Sequence, residues 1–279
     1  MPHPELERLT NDFGWENRLV ARSQRNAFDN PNWSGSATTF SDDQSESLSD
    51  AGSSSWWYET RNKIIFGALN KLKIESCLWE IGSGPGVVSS YLSEMGMPCV
   101  AVEPSSAGVT ASAERGVTSI VSDLESLHLP SQSVGMIGLF DVLEHIEDRQ
   151  HLLAEIRRVL TPTGKLIIAV PALRVLWSSA DVSAGHFLRY SRRVLNRELK
   201  KSGFQIQKSQ YFFALLVLPL LLLRAIPFRL GVRQPVEDQT LLNQQGGLIS
   251  GILQKLEIFL SKFMPFGTSL LVIATKNSE

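Results

Sequence analysis

Apolar residues along this chain come in two spacings. Five short, mostly apolar runs read as buried strands: Leu78–Ile81, Val100–Glu103, Ser119–Leu124, Val134–Asp141 and Lys165–Val170. Between them, apolar positions recur every three or four residues over Val87–Met95, Ser106–Arg115 and Asp148–Leu160. In the last stretch Leu152, Leu153, Ile156, Val159 and Leu160 share one face, which is the period of a helix. Alternation of strand and helix predicts an α/β fold with parallel strands and helices on both faces. A further helix is expected from Ser191, a capping residue, to Ser202, with Gly203 as its stop. Two more strands are expected at Phe204–Tyr211 and Ser269–Thr275.

More than fifty residues separate those two strands, far too many for a turn. A helical insertion is therefore expected over about 212–266. It begins within Tyr211–Leu223, thirteen residues without a charge and with Pro219 among them. A helix that spans a bilayer needs about twenty apolar residues, so a membrane span is not expected. Two readings stay open: a helix packed over a substrate cleft, or a segment lying in a membrane interface. Ile249–Phe263 reads as an amphipathic helix, with Ile252, Leu253, Leu256, Phe259, Leu260 and Phe263 on one side.

Residues 1–55 are expected to form a flexible N-terminal segment. Gly35–Ser55 is rich in Ser, Asp and Gly, and cannot bury enough surface to offset the entropy of ordering it. Ahead of it, Leu6, Leu9, Phe13, Trp15, Leu19 and Val20 could form a short helix. Order is expected to resume at Trp56, in a helix with Ile64, Ile65, Ala68, Leu69 and Leu72 on its apolar side. Residues 56–279 then form one domain.

Composition changes this picture in two respects. The chain has 279 residues and is 43% hydrophobic, enough for one large domain, and its net charge of −1 gives no reason to expect a nucleic-acid partner. That average hides an asymmetry. Between Ala172 and Arg233, eleven Lys and Arg residues oppose only Asp181 and Glu198. Basic and apolar residues in one segment suit an anionic membrane surface or a lipid-linked substrate, although a solvated helix face beside an ordinary core has the same composition. Cys77 and Cys99 start neighbouring strands and read as buried free thiols of a reducing compartment, with a disulfide left open. Met1-Pro2-His3-Pro4-Glu5 begins no apolar targeting region. The expected location is cytoplasmic, peripheral at the inner face of the membrane if the basic segment meets lipid.

The candidate chemistry begins where the first strand ends. Glu80-Ile81-Gly82-Ser83-Gly84-Pro85-Gly86 places an acid before three glycines at alternate positions. Only glycine tolerates a left-handed turn at no cost and lets a ligand lie against bare backbone. A nicotinamide dinucleotide site wants G-x-G-x-x-G, but the sixth position here is Val87, and a pyrophosphate would gain nothing from Glu80. A cationic ligand would be suited by that acid. Three further strands also end in an acid, at Glu103, Asp123 and Asp141, and such strand ends converge on one crevice.

The E-x-G-x-G-x-G stretch resembles motif I of the class I S-adenosylmethionine (SAM)-dependent methyltransferases, and Asp141-Val142-Leu143-Glu144-His145 looks like their motif IV. The resemblance implies a Rossmann-like, seven-stranded, mostly parallel sheet with helices on both faces and a helical insertion before the last strand. It implies SAM as cofactor, with Glu80, Gly82, Ser83, Gly84, Gly86, Glu103, Pro104, Asp123, Leu124, Asp141 and Val142 as the binding set. Within that set Glu103 would accept the ribose hydroxyls, while Asp123 and the Leu124 backbone would recognise adenine. The aromatics and Arg-Asn of Trp56–Asn62 resemble a segment that closes over the cofactor site in a subset of these enzymes. Trp57 and Arg61 are thus candidates to touch substrate, or Trp56 and Trp57 merely staple the helix to the sheet.

Methyl transfer from a sulfonium is an in-line displacement of an already activated group, so the protein chiefly aligns the reactants and excludes water. An oxygen or nitrogen acceptor must also lose a proton, which a nearby base assists. His145 and His186 are the candidate bases. His186 lies in Trp177–Ser191, which resembles a W-S-x-x-D-x-x-x-G-H-x-x-R-Y-[ST] loop of one bacterial branch. Asp181 and Tyr190 join the candidate catalytic set, and Arg189 is a candidate to grip the acceptor. Alternatively, Asp181, His186 and Arg189 only tie the loop together, and His145 is a satisfied cap. No metal is expected, because the histidines and acids lack ligand spacing and no Cys-x-x-Cys occurs. The expected activity is O-methylation of a small molecule: a lipid, a quinone or a lipid-linked glycan, since the ubiquinone methyltransferases have similar motifs. The alternatives are a nicotinamide-dependent oxidoreductase and a non-catalytic, methyltransferase-like scaffold at a membrane.

Overall fold

The structure is a computed structural model that describes residues 20–21, 26–34, 55–72, 76–232 and 248–277. The described strands are β1 (Val20–Ala21), β2 (Ala27–Asp29), β3 (Leu78–Ile81), β4 (Cys99–Glu103), β5 (Thr118–Val121), β6 (Val134–Phe140), β7 (Leu160–Pro171), β8 (Phe204–Phe212) and β9 (Ser269–Lys276). They form one sheet in the order β1-β2-β5-β4-β3-β6-β7-β9-β8. From β2 to β7 every neighbouring pair is parallel, whereas β9 runs antiparallel between β7 and β8. The described helices are α1 (Trp56–Leu69), α2 (Val87–Glu94), α3 (Ser106–Glu114), α4 (Arg149–Val159), α5 (Ser179–Ser183), α6 (Arg192–Lys201), α7 (Val217–Leu220), α8 (Ile226–Arg229) and α9 (Leu248–Leu260).

The central strands are apolar throughout because both of their faces are covered. Successive side chains point to opposite sides. Trp79, Val100, Val102, Ile137 and Leu166 meet Leu153 and Ile156 of α4 and Leu195 and Leu199 of α6 in one core. Leu78, Ala101, Met136 and Ile167 meet Ile64 and Ile65 of α1 and Val88 and Leu92 of α2 in the other. Ser105, Asp148 and Ser191 cap α3, α4 and α6 with side-chain oxygens, and Gly203 ends the turn after α6 at φ +80°. Cys77 and Cys99 are buried and are not joined in a disulfide.

The seven strands expected from the sequence are β3 to β9, and the count rises to nine because β1 and β2 add to the β5 edge. β2 extends the sheet beyond β5, burying Ala27 and donating from Asn30 Nδ2 to Ser122 Oγ (2.9 Å) and Ser126 O (2.8 Å). Flexibility over the whole of 1–55 is therefore revised at residues 26–34, and Val20 lies in a strand rather than a helix. The helix expected from Leu6 to Leu19 and the Ser-rich stretch lie outside the described residues, apart from Ser55, the N-cap of α1.

The insertion folds back on the body of the sheet. After β8 the chain turns at Phe213, whose φ is +61°. The buried Glu257 of α9 accepts hydrogen bonds from Ala214 N (2.9 Å) and Leu215 N (3.1 Å). On its other side α9 meets α1: Trp56 Nε1 donates to Ser250 O (3.0 Å) and Lys63 Nζ to Gln254 Oε1 (2.7 Å). α7 and α8 join through a π turn at Leu221–Ala225, a wider winding that relieves the clash a proline such as Pro227 brings to an α-helix. No helix among the described residues is long and apolar enough to cross a membrane.

Gly86 caps α2 at φ +71°, and a Cβ there would fall 2.7 Å from Ser112 Cβ on α3. Gly116 has φ +85° with nothing within 4 Å of its would-be Cβ. Gly86→Ala should therefore cost about 2–4 kcal/mol, from strain plus overpacking, and Gly116→Ala about 1–2 kcal/mol, from strain alone. Urea unfolding of the two variants checks this ordering, and equal losses would contradict the packing role of Gly86.

Candidate active site

Strand order reverses at β3, which has β4 on one side and β6 on the other. Loops leaving neighbouring strands there diverge, and a crevice opens at the carboxyl ends of the sheet. A cavity of about 460 Å³ occupies that place. Gly82, Ser83 and Gly84 line it on one side, with Glu103 and Pro104 beyond them; Asp141, Val142 and His145 come from the β6 end, and His186 and Arg189 from the long loop after β7.

The glycine turn is held from behind. Gly82, Gly84 and Gly86 all have positive φ, at +70°, +52° and +71°. A Cβ on Gly82 would strike Val142 at 2.8 Å, whereas one on Gly84 would meet nothing within 4 Å. Gly84 N donates to Glu103 Oε2, and Ser105 N to Glu103 Oε1, both at 2.8 Å. A Cβ on Gly108 of α3 would come within 2.9 Å of Glu103 Cγ, so this helical glycine allows the approach. Glu80 accepts from Ser89 N (3.0 Å) and from Ser89 Oγ, which fixes the start of α2. A carboxylate has about four acceptor positions, so Glu80 and Glu103 keep lone pairs for a ligand.

Asp141 sits at φ +56°, a backbone conformation that few residues other than glycine adopt. Its N–H donates to Ala169 O (2.8 Å), and its Oδ2 lies 2.6 Å from Nη2 of the buried Arg61. This ion pair joins α1 to the end of β6 across eighty residues of sequence. Arg61 also lies over the Trp57 ring (5.2 Å), which stacks on Phe213 (5.6 Å). Trp57 thus both lines the cavity and packs against Phe213.

The loop after β7 is organised by Asp181. Its Oδ1 accepts from Arg189 Nε (2.7 Å) and faces His186 Nδ1 (2.9 Å), and its Oδ2 accepts from Ser178 N (2.9 Å). Burial alone would push this carboxyl up, but His186 and Arg189 together hold it below the usual range. The His145 and His186 rings meet edge to face at 4.7 Å. Burial, and then the neighbouring His186, lower the His145 pKa to about 4. Burial moves the carboxyls the other way: Glu80 rises to about 7 against its hydrogen bonds from Ser89, Glu103 rises, and Glu144 rises well above the usual range with Asp141 adding to the effect.

Some expected site residues lie elsewhere. Tyr190 is fully buried in the core below the cavity, because its backbone bridges to Ala172 and carries the ring inward. A catalytic role for its hydroxyl is corrected accordingly. Asp123 turns its Oδ1 to Ser126 N (2.7 Å) and Leu124 packs in the core; neither lines the cavity. Asp181 is also outside the lining, and it meets the cavity only by way of its contacts with His186 and Arg189. Gly86 shapes the turn from behind. Residues that the sequence did not single out also line the cavity: Tyr58, Glu144, and Leu220 and Arg224 of the insertion. Glu144 was legible within the motif, but Leu220 and Arg224 are brought there only by the fold.

Comparison with known proteins agrees with this architecture. Residues 79–168 match the family described as "Methyltransferase domain". A Mycolicibacterium smegmatis protein described as a "probable S-adenosylmethionine-dependent methyltransferase" is 23% identical over 157 residues. The match covers 54% of this chain and 60% of that protein, so the chain spans about three-fifths of the curated relative. Haemonchus contortus phosphoethanolamine N-methyltransferase 2, solved with S-adenosyl-L-methionine, superposes with a TM-score of 0.55 at 19% identity, over 86% of this chain and 58% of that one. A SAM-dependent methyltransferase of Thermotoga maritima gives 0.51 at 18% identity, over 80% and 93%. The Rossmann-like fold and the resemblance to class I SAM-dependent methyltransferases are borne out.

The buried Glu80 makes stability depend on pH. Its carboxyl titrates near 4.5 when unfolded and near 7 when folded. Between those values the folded chain holds a proton that the unfolded chain has lost, so stability should fall as pH rises from 4.5 to 7, by about 1.4 kcal/mol per unit. Glu80→Gln should lower that slope in urea unfolding, the raised Glu103 and Glu144 carboxyls keeping the remainder. An unchanged slope would assign the limb to another group.

Proposed function

We propose, from a fold that is that of the class I SAM-dependent methyltransferases, that this chain transfers a methyl group from SAM to an oxygen of a small, lipid-borne acceptor at an anionic membrane surface. The observation that carries the reading is a cavity walled by bare glycine backbone on one side and by the insertion on the other. The residues fit the donor. Gly84 leaves its face of the cavity open, and Glu80 and Glu103 keep acceptor positions for the cationic and hydroxyl groups of the donor. A pyrophosphate would be opposed by the same carboxylates, which disfavours the nicotinamide alternative. When bound, SAM supplies an already activated methyl group.

The chain's own residues bind and orient. Glu103 and the glycine turn would hold the ribose end. Arg61, fixed by Asp141 and Trp57, and Arg189, fixed by Asp181, would position the acceptor. Asp181 faces Nδ1 of His186, which leaves Nε2 to take the proton that an acceptor hydroxyl must lose.

The acceptor class is argued from the insertion. Leu220 and Arg224 line the cavity while Leu218, Leu222 and Leu223 are each at least half exposed. Ile252, Phe259 and Phe263 on the second half of the insertion are also exposed. A soluble chain seldom leaves so many large apolar groups in water unless they meet a partner. Arg224, Arg229, Lys255 and Lys262 accompany them, which suits an anionic bilayer.

In calorimetry, Gly84→Val and Glu103→Ala should each weaken SAM binding by at least about tenfold, or 1.4 kcal/mol. Undiminished affinity in both would remove the cofactor from this turn. Incubation of a native lipid extract with methyl-labelled SAM should yield a labelled, O-methylated product; a chain that binds SAM and labels nothing would instead favour the scaffold. Co-sedimentation should retain the chain on phosphatidylglycerol vesicles at low salt and lose it with Leu222→Asp/Leu223→Asp. Equal retention by neutral vesicles would count against the charge argument.

A further inference from the structure

Charge is segregated along the cavity. Glu80 and Glu103 stand on β3 and β4, at one end of the crevice. Past β6, toward the other end of the sheet, Arg189 comes from the loop after β7 and Arg224 from the π turn of the insertion. Thr268 and Ser269, where β9 begins, line the cavity with them. Backbone bonds hold this group together. Arg189 Nη1 donates to Ala172 O (3.2 Å), and Ala172 N donates to Thr268 O (2.7 Å). Arg229 Nη2 donates to Val175 O (2.8 Å), which ties the insertion to the same loop.

Several donors at this end are unspent. Arg189 commits Nε to Asp181 (2.7 Å) and Nη1 to Ala172 O, and nothing among the described residues accepts from its Nη2. Thr268 and Ser269 are only 4% and 6% exposed, yet neither hydroxyl has a hydrogen-bond partner among the described residues. A buried hydroxyl left unpaired is costly. Two of them beside a guanidinium with donors to give suit a ligand rich in acceptor oxygens. The acids on this side do not oppose an anion. Asp141 is paired with Arg61, Asp181 with Arg189 and His186, and burial favours the protonated, neutral form of Glu144.

From this convergence we propose that Arg189, Arg224, Thr268 and Ser269 form a subsite for a phosphate ester, whose hydrocarbon chain lies along Leu220. A carboxylate presents its oxygens in one plane and is satisfied by a single guanidinium fork. A phosphate spreads its acceptor oxygens around a tetrahedron, which matches donors arriving from the β7 loop, the insertion and the start of β9. Leu220 lines the same cavity, and Leu218, Leu222 and Leu223 beside it in sequence are exposed, where an apolar chain would emerge. The acceptor class is thereby narrowed to lipids that carry a phosphate. That the phosphate belongs to the methyl acceptor rests on the methyl-transfer reading, whereas binding of the group does not.

The test is calorimetry on the full chain without SAM, titrated with geranyl phosphate, geraniol and inorganic phosphate. Geranyl phosphate should bind at least about tenfold more tightly than geraniol. Tighter binding of geranyl phosphate than of inorganic phosphate assigns the lipid-borne source; equal binding keeps the phosphate subsite and strikes out the chain along Leu220. Arg224→Gln and Thr268→Val, checked for folding by circular dichroism, should each weaken geranyl phosphate binding by about fivefold or more. Arg197→Gln, on the exposed side of α6 and outside this cavity, should leave it unchanged. Geraniol binding as tightly as geranyl phosphate, unchanged affinity in both cavity variants, or an equal loss in Arg197→Gln would overturn the subsite. So would displacement of geranyl phosphate by SAM, which would give these residues to the carboxylate of the donor. A chain that binds geranyl phosphate but not SAM would keep the subsite and lose the methyl-transfer reading.

Discussion

The site depends on a backbone constraint: three residues in five must adopt left-handed φ at the end of β3, and all three are glycine. Without side chains the turn has little to stiffen it, and its rigidity comes from its neighbours. Glu103 takes one amide from the turn and one from the next strand's loop, which clamps the ends of β3 and β4 together. Val142 fills the space against Gly82 and Ser112 fills it against Gly86, so β6 and α3 are positioned by the same turn. Glu80 anchors the helix that follows.

Charge is the second organising quantity. Four carboxylates line the cavity, and each is handled differently. Glu80 and Glu103 are spread over backbone and hydroxyl donors; Asp141 is paired with an arginine from a distant helix; Glu144 takes no hydrogen bond from another described residue. Such uneven treatment within one cavity is characteristic of places that handle ligands rather than of ordinary cores.

Much of this was legible in the sequence because it is periodic or local. β3 to β9 follow from apolar runs, α2 to α4 from helical spacing, and the turn from its glycines. β1 and β2 escaped because two or three residues carry no period. Tyr190 and Asp123 were misplaced for a different reason: a polar residue in a loop can turn inward or back on its own loop, and sequence does not say which. The Arg61–Asp141 pair, Leu220 and Arg224 at the cavity, and the meeting of His145 with His186 are products of three-dimensional proximity alone.

The place of β9 has a consequence for how the chain is assembled during synthesis. β8 touches the sheet only through β9, although β9 is made later, after the entire insertion. Until then β8 can pack on α6 but has no strand to pair with. Closing so long a loop is entropically slow. The parallel strands can settle first, leaving β8, β9 and the insertion as a late-docking unit.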